Sequence, residues 1–261
     1  MISNALNLIG SLSNGMEPKI IYEDKDFLAV NKPAGLMVHP ARVSGKKKTR
    51  EHEPTLVEWL ISRHPEIKNV GDDPVLRPGI VHRLDKETSG VMLIPKNQEY
   101  FEYLKSLFKT RAIKKTYLAL VFGVPKKENG IIDVPIGIKT GTLRRSVHSK
   151  KMAKEAVTEY KILKTVLMPD ANGKDASFSL LEVSPKTGRT HQIRVHLASI
   201  GHPVAGDLLY GPKKQPEWVS RLMLHAKSIE FVPRSGSFIK IETENPFAFY
   251  LPQAEQFIPS R

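Results

Sequence analysis

The densest group of polar side chains in the sequence is His82-Arg83-Leu84-Asp85-Lys86-Glu87-Thr88-Ser89-Gly90, set between the turn Arg77-Pro78-Gly79 and an apolar run that opens at Val91. Such a loop presents side chains at the edge of a sheet. Its carboxylate, Asp85, could be a nucleophile, a general base or a metal ligand, or simply half of a structural ion pair with Arg83 or Lys86. On spacing alone the ion pair is the plainer reading. A second group, Lys186-Thr187-Gly188-Arg189-Thr190-His191-Gln192-Ile193-Arg194, spans a tight turn and the start of a helix. Gly188 would let the backbone bend, and the free N–H groups of a helix start suit a phosphate or carboxylate. Ile193, Leu197 and Ile200 share the face that would pack on a sheet, which sets Arg194 beside a buried stripe. A guanidinium there needs an anionic partner. Any nearby Asp or Glu would serve, and Asp85 is the sharper candidate.

Other chemistries find little support. The 9 histidines form no metal-binding set: His191 and His196 diverge on a helix, and His82 with Asp85 lacks further ligands. No metal is expected. Walker-type, GxGxxG and GxSxG patterns are absent, which removes the motifs for ATP, NAD and α/β-hydrolase chemistry. The absence of cysteine excludes disulfides, thiolate metal sites and a cysteine nucleophile.

These groups need a scaffold, and at about 150 residues per domain a chain of 261 residues makes one large domain, or one with a small appendage. Ile20-Ile21-Tyr22 and Phe27 to Val30 read as strands around the acidic turn Glu23 to Asp26. Thr55 to His64 reads as a helix capped by Thr55, followed by a strand at Val91 to Pro95, a helix at Gln98 to Thr110 and a strand at Thr116 to Phe122. Further strands are predicted at Val157 to Val166, Phe178 to Val183, Leu224 to Phe231 and Phe238 to Thr243. A helix at His191 to Ile200 would be capped by Thr190 and ended by Gly201. Strands outnumber helices and follow one another without crossover helices, so the spacing predicts an α+β fold: a largely antiparallel, mixed sheet with a few flanking helices.

With 40 Lys+Arg against 27 Asp+Glu the chain carries +13, a surplus that attracts a polyanion. Two segments read as exposed basic loops: Arg42 to Pro54, with Lys46, Lys47, Lys48 and Arg50, and Lys139 to Lys154, with Arg144, Arg145, Lys150 and Lys151. Each is either a solvated surface or a phosphate-contacting loop. The uncharged stretch Met1 to Met16 holds three asparagines and three serines and lacks a basic start, so it reads as neither signal peptide nor membrane span. Ile2, Leu6, Ile9 and Leu12 instead suggest a short helix. A cytoplasmic protein without membrane association is expected.

Several stretches, in order, resemble the RluA-type family of RNA pseudouridine synthases: Asn31-Lys32-Pro33-Ala34-Gly35-Leu36 with His39-Pro40, His82-Arg83-Leu84-Asp85 with Thr88-Ser89-Gly90, Lys115-Thr116-Tyr117, and Thr187 to His196. Gly201-His202-Pro203, Gly206-Asp207, Tyr210-Gly211 and Leu224-His225-Ala226 continue the likeness, which runs from about residue 19 to the C-terminus. The resemblance implies the pseudouridine synthase catalytic fold over residues 19–261, with 1–18 as an extension and without the N-terminal RNA-binding domain of many relatives. It further implies that Asp85 is the catalytic carboxylate, that Tyr117 lies against the target base, and that Arg194 pairs with Asp85. Arg83 would help fill the space vacated by the extruded uridine. RNA contacts are expected from Arg83, His82, Arg189, Thr190, His191, Arg144, Arg145, Lys46, Lys47 and Lys48.

The implied reaction breaks the N1 to C1′ glycosidic bond, turns the uracil and rejoins it through C5. It involves no net redox change, so no cofactor is expected. A carboxylate suits it because it can add to C1′ or C6, or remove the 2′ proton, and leave again. Extrusion of the nucleotide costs a few kcal/mol, which stacking on Tyr117 would offset. The expected function is isomerisation of specific uridines in structured RNA, large-subunit ribosomal RNA ahead of tRNA, by a monomer. The competing reading is a catalytically inactive RNA-binding or ribosome-assembly protein of the same fold; a metal-dependent nuclease built on Asp85, His82 and His191 lacks a ligand set.

Overall fold

The computed structural model describes residues 17–40, 53–139 and 144–247. The short helix expected within Met1 to Met16 and the run Lys46, Lys47, Lys48 lie outside these residues. The chain divides into two compact units, one of residues 1–113 with 229–243 and the other of residues 114–228 with 244–261.

In the first unit, β1 (Lys19–Glu23) and β2 (Phe27–Lys32) form an antiparallel pair. The turn between them closes because Asp24 Oδ1 accepts the N–H groups of Asp26 and Phe27 at 2.8 and 2.9 Å. β2 also pairs antiparallel with β3 (Ser89–Pro95), Lys32 standing opposite Gly90 and Phe27 opposite Pro95. Every residue of β3 is buried, as its unbroken apolar run requires. α1 (Leu56–Arg63) starts at Thr55 in a capping box with Glu58, and α2 (Gln98–Lys109) starts at Asn97, whose side chain accepts from the Tyr100 N–H. Tyr100 stacks on Phe27 with ring centroids 5.2 Å apart, within a core that includes Ala29, Val91, Leu93, Leu104, Phe231 and Ile241. The last two come from the end of β10 (Leu224–Phe231) and from β11 (Ile239–Glu242), which pair with each other.

The second unit holds β4 (Lys114–Phe122), β5 (Asn129–Asp133), β6 (Gly137–Ile138), β7 (Arg145–Ser146), β8 (Val157–Pro169), β9 (Asp175–Pro185), α3 (Gln192–Ser199) and the start of β10. Its strand order is β10-β4-β9-β8-β5, and the pairs β4–β9, β9–β8 and β8–β5 are antiparallel. Leu118, Leu120, Phe178, Leu181, Ile193, Leu197 and Phe247 pack together as its core. The α+β expectation, with a largely antiparallel sheet and few flanking helices, therefore holds, and three α-helices are present among the described residues.

Three local expectations fail. Lys139 to Lys154 is not wholly loop: within it Arg145–Ser146 pairs with Gly137–Ile138 as a short hairpin. β5 was not predicted, because Asn129–Asp133 offers two apolar residues among polar neighbours. Thr190 does not cap α3. The N-cap is His191, held in the left-handed region at φ 57°, and no side chain caps it directly. Gly188 is not among the left-handed glycines: the chain bends at Lys186 and Thr187 and turns again at Thr190 and His191. At the other end Gly201 behaves as expected: at φ 85° its N–H bonds to Ala198 O and that of His202 to Leu197 O, which closes a Schellman motif.

Candidate active site

The first unit carries Asp85 on the loop that leads into β3. Leu84 anchors that loop by burial, and the Thr88 N–H donates to Asp85 O at 3.1 Å, which folds the segment into a turn. The peptide after Asp85 is clamped: Lys86 O accepts from the Gly35 N–H at 2.9 Å and from Lys32 Nζ at 3.0 Å. Lys32 is fully buried, and its ammonium also donates to Pro33 O and Leu36 O at 2.8 and 2.9 Å. A buried lysine needs such acceptors, and here they tie the Pro33 to Leu36 turn to the Asp85 loop. The Asp85 side chain itself is half-buried.

His82 is half-buried, its ring 4.6 Å from that of Phe108, and its Nε2 accepts the Leu93 N–H at 2.9 Å. It therefore pins the loop to β3. Arg83 is exposed, and its Nη1 donates to His39 Nε2 at 2.9 Å while His39 Nδ1 bonds to Pro40 O. Those contacts require the neutral Nδ1–H tautomer of His39. Burial, with Arg83 and Arg77 nearby, pushes the His39 pKa below its ordinary value.

The second unit carries the other candidates. Tyr117 lies half-buried in β4 opposite Val183, with its ring against the core. Arg194, in the first turn of α3, makes a bidentate pair with Asp207: Nε to Oδ2 at 2.7 Å and Nη2 to Oδ1 at 2.8 Å, with the side chains 6% and 0% exposed. The carboxylate seen on Nε and Nη2 is thus Asp207, a partner that the sequence did not name. Asp207 is presented by Gly206, at φ 80°, where a Cβ would stand 2.0 Å from Arg221 O, so only glycine fits.

Tyr210 links this pair to its surroundings. Its ring lies 5.2 Å from the Arg194 guanidinium, and its hydroxyl bonds His191 Nδ1 at 2.8 Å and accepts the Arg145 N–H at 2.9 Å. The β6–β7 hairpin with Arg144 and Arg145 is thereby joined to α3. Arg144 and Thr190 are exposed, and Arg189 Nε donates to Glu155 O. Gln192 Oε1 accepts from Thr187 Oγ1 and from the Arg189 N–H, which stiffens the turn ahead of the helix. Lys32, His39, Asp207 and Tyr210 were not assigned roles from sequence. All four sit in the recognisable stretches, but their partners are set by tertiary contacts. Among the described residues no group of three or more His, Asp and Glu could hold a metal ion, and no helix is long and apolar enough to cross a membrane.

The first unit holds a half-buried carboxylate on a clamped loop, and the second a strand tyrosine and a buried arginine fork joined to a basic hairpin. A carboxylate in so basic a chain suits a nucleic-acid-modifying enzyme better than a plain binding surface, since acidic groups weaken phosphate binding. The sequence model of the family described as RNA pseudouridylate synthase matches residues 26–199, and the chain belongs to that family. It is an RNA pseudouridine synthase by class. Similar proteins include an uncharacterized RNA pseudouridine synthase of Aquifex aeolicus, 42% identical over 240 residues that cover 88% of this chain and 70% of the relative. The ribosomal large subunit pseudouridine synthase D of Nitrosomonas europaea is 37% identical over 242 residues, covering 87% of this chain and 62% of that protein. Among solved structures, human RNA pseudouridylate synthase domain containing 1 superposes with a TM-score of 0.71 at 27% identity, over 92% of this chain and 88% of that one.

Proposed function

We propose that this chain converts a uridine of large-subunit ribosomal RNA to pseudouridine, with Asp85 as the catalytic carboxylate. The observation that carries the reading is the mounting of Asp85. In a chain of +13, an acidic side chain is held on a loop fixed on both sides, before it by the His82 bond to the Leu93 N–H and after it by the Asp85–Thr88 turn and the Lys32 and Gly35 bonds to Lys86 O. A surface evolved only to bind phosphates gains nothing from such an arrangement. The ribosomal assignment is supported by similarity to proteins named for the large ribosomal subunit, and action on ribosomal RNA would put the protein in the cytoplasm.

In this reading the Asp85 carboxylate adds to C1′ or C6 or takes the 2′ proton, and the N1 to C1′ bond breaks; after C5 has bonded to C1′ the carboxylate is released or the 2′ proton returned, C5 loses its proton and N1 gains one. Tyr117 lies against the uracil while it turns. Arg194 acts with Nε and Nη2 fixed on Asp207, which holds its planar fork in one orientation. Arg83, steered by neutral His39, fills the space left by the extruded base. His82 anchors the loop through Leu93 and Phe108, and Arg144, Arg145, Arg189, Thr190, His191 and Lys46 to Lys48 supply RNA contacts. Mapping pseudouridines across total RNA with and without the gene tests the reading. Loss of a large-subunit site is the expected result; an unchanged map would overturn it, and a loss confined to tRNA would move the substrate.

A further inference from the structure

Lys115 is the second residue of β4. Alternation along the strand puts it on the face of Tyr117, with Thr116 and Leu118 turned to the other side. Two residues of strand separate them by about 6.7 Å, a spacing comparable to that between a nucleobase and its own phosphate. The Lys115 Nζ reaches the turn before α3 and lies 4.0 Å from the point where a side chain on Gly188 would begin. That turn is held by Gln192 and by the Val157 N–H bond to Thr187 Oγ1.

Other cations of the same unit have protein acceptors. Arg194 donates to Asp207, Arg189 to Glu155 O, and Lys186 pairs with Glu159 at 2.7 Å. Lys115 has no hydrogen-bond or ion-pair partner among the described residues. Burial pushes its pKa below the usual lysine value, and no neighbouring charge contributes to that shift. A half-buried ammonium without an acceptor is costly, and a ligand of full negative charge would offset the cost. A neutral uracil carbonyl would leave the charge in place.

We propose that Lys115 is a substrate-binding residue whose ammonium takes the phosphate of the uridine that lies against Tyr117. The inference rests on the role of Tyr117 given above and adds a specific backbone contact to it.

The test compares the wild type with Lys115→Met, Lys115→Gln and Lys115→Arg on large-subunit ribosomal RNA from cells lacking the gene. Initial rates are measured against RNA concentration, and filter binding against salt. For the Met and Gln variants KM and Kd should rise roughly tenfold and the log–log salt slope should fall by about one, with kcat kept within about threefold. Lys115→Arg should restore the slope. Because the unpartnered charge burdens the RNA-free protein, Lys115→Met should melt at the same temperature as the wild type or higher. An unchanged salt slope, a collapse of kcat at constant KM, or early melting of both neutral variants would overturn the proposal. The slope is read in binding and needs no turnover. A wild type that binds this RNA without modifying it would therefore count against the substrate assignment, and the slope would still decide the role of Lys115.

Discussion

Asp207 accepts four hydrogen bonds, from Arg194 Nε and Nη2 and from the N–H groups of Leu209 and Tyr210. Its two oxygens are thus fully committed in a fully buried position, and the guanidinium fork is set by them. In Asp207→Asn one oxygen becomes an N–H₂ group facing other donors, and the buried Arg194 loses this bidentate charged partner. The expected cost is about 3 kcal/mol of stability, read as a lower urea midpoint at an unchanged slope. A loss under about 0.5 kcal/mol, the scale of an exposed pair, would mean that the pair is not a fixed unit. The sequence showed that Arg194 needs an anion and offered Asp85; it did not show Asp207, which returns after the turn at Gly201 and the left-handed Gly206. Neither distance nor direction across such a turn can be read from spacing. Lys32 was hidden for a similar reason: its acceptors are main-chain carbonyls, which carry no sequence signal.

The elements that hold the site were mostly legible where one physical signal dominated. The unbroken apolar run gave β3, the Thr55 cap opens α1, the helix expected at Gln98 to Thr110 is α2, and Leu224 to Phe231 is strand as expected. What escaped were elements defined by partners more than by pattern: β5, with Ile131 exposed and Ile132 buried, and the two-residue β6 and β7. The hairpin these last two form is the basic segment assigned to RNA. Its attachment runs through the Tyr210 hydroxyl, which accepts the Arg145 N–H. Tyr210→Phe keeps the ring beside Arg194 and removes that bond, at a cost of about 1 kcal/mol. The Arg145 amide should then exchange its hydrogen several-fold faster while amides of β9 keep their rates. Unchanged exchange at Arg145 would show that the hairpin is held by other contacts.

For the whole molecule, pH and charge matter most. His196 is buried, with Nε2 on Val134 O and Nδ1 on Thr158 Oγ1, and burial holds its pKa below the usual value. His225 is pushed down to about 3, by burial first and then by Arg221 and Lys227. In the unfolded chain both rings take up protons near 6.5. The unfolded state therefore binds more protons, and stability falls as pH drops below about 6.5, each histidine adding a slope of up to about 1.4 kcal/mol per pH unit. Urea midpoints between pH 7.5 and pH 5 should decline accordingly, and flat midpoints would contradict neutral burial. His39 follows the same sign, and its protonation would also take away the acceptor that steers Arg83. The surplus of +13 concentrates RNA near the protein, whereas in the proposed mechanism turnover depends on a single carboxylate, Asp85. The most direct test incubates the wild type and Asp85→Asn with large-subunit ribosomal RNA from cells lacking the gene and reads pseudouridine by carbodiimide-dependent stops in reverse transcription. A stop that the wild type restores and the variant does not, at equal RNA affinity, is the expected result; restoration by Asp85→Asn at a rate within tenfold of the wild type would contradict the account.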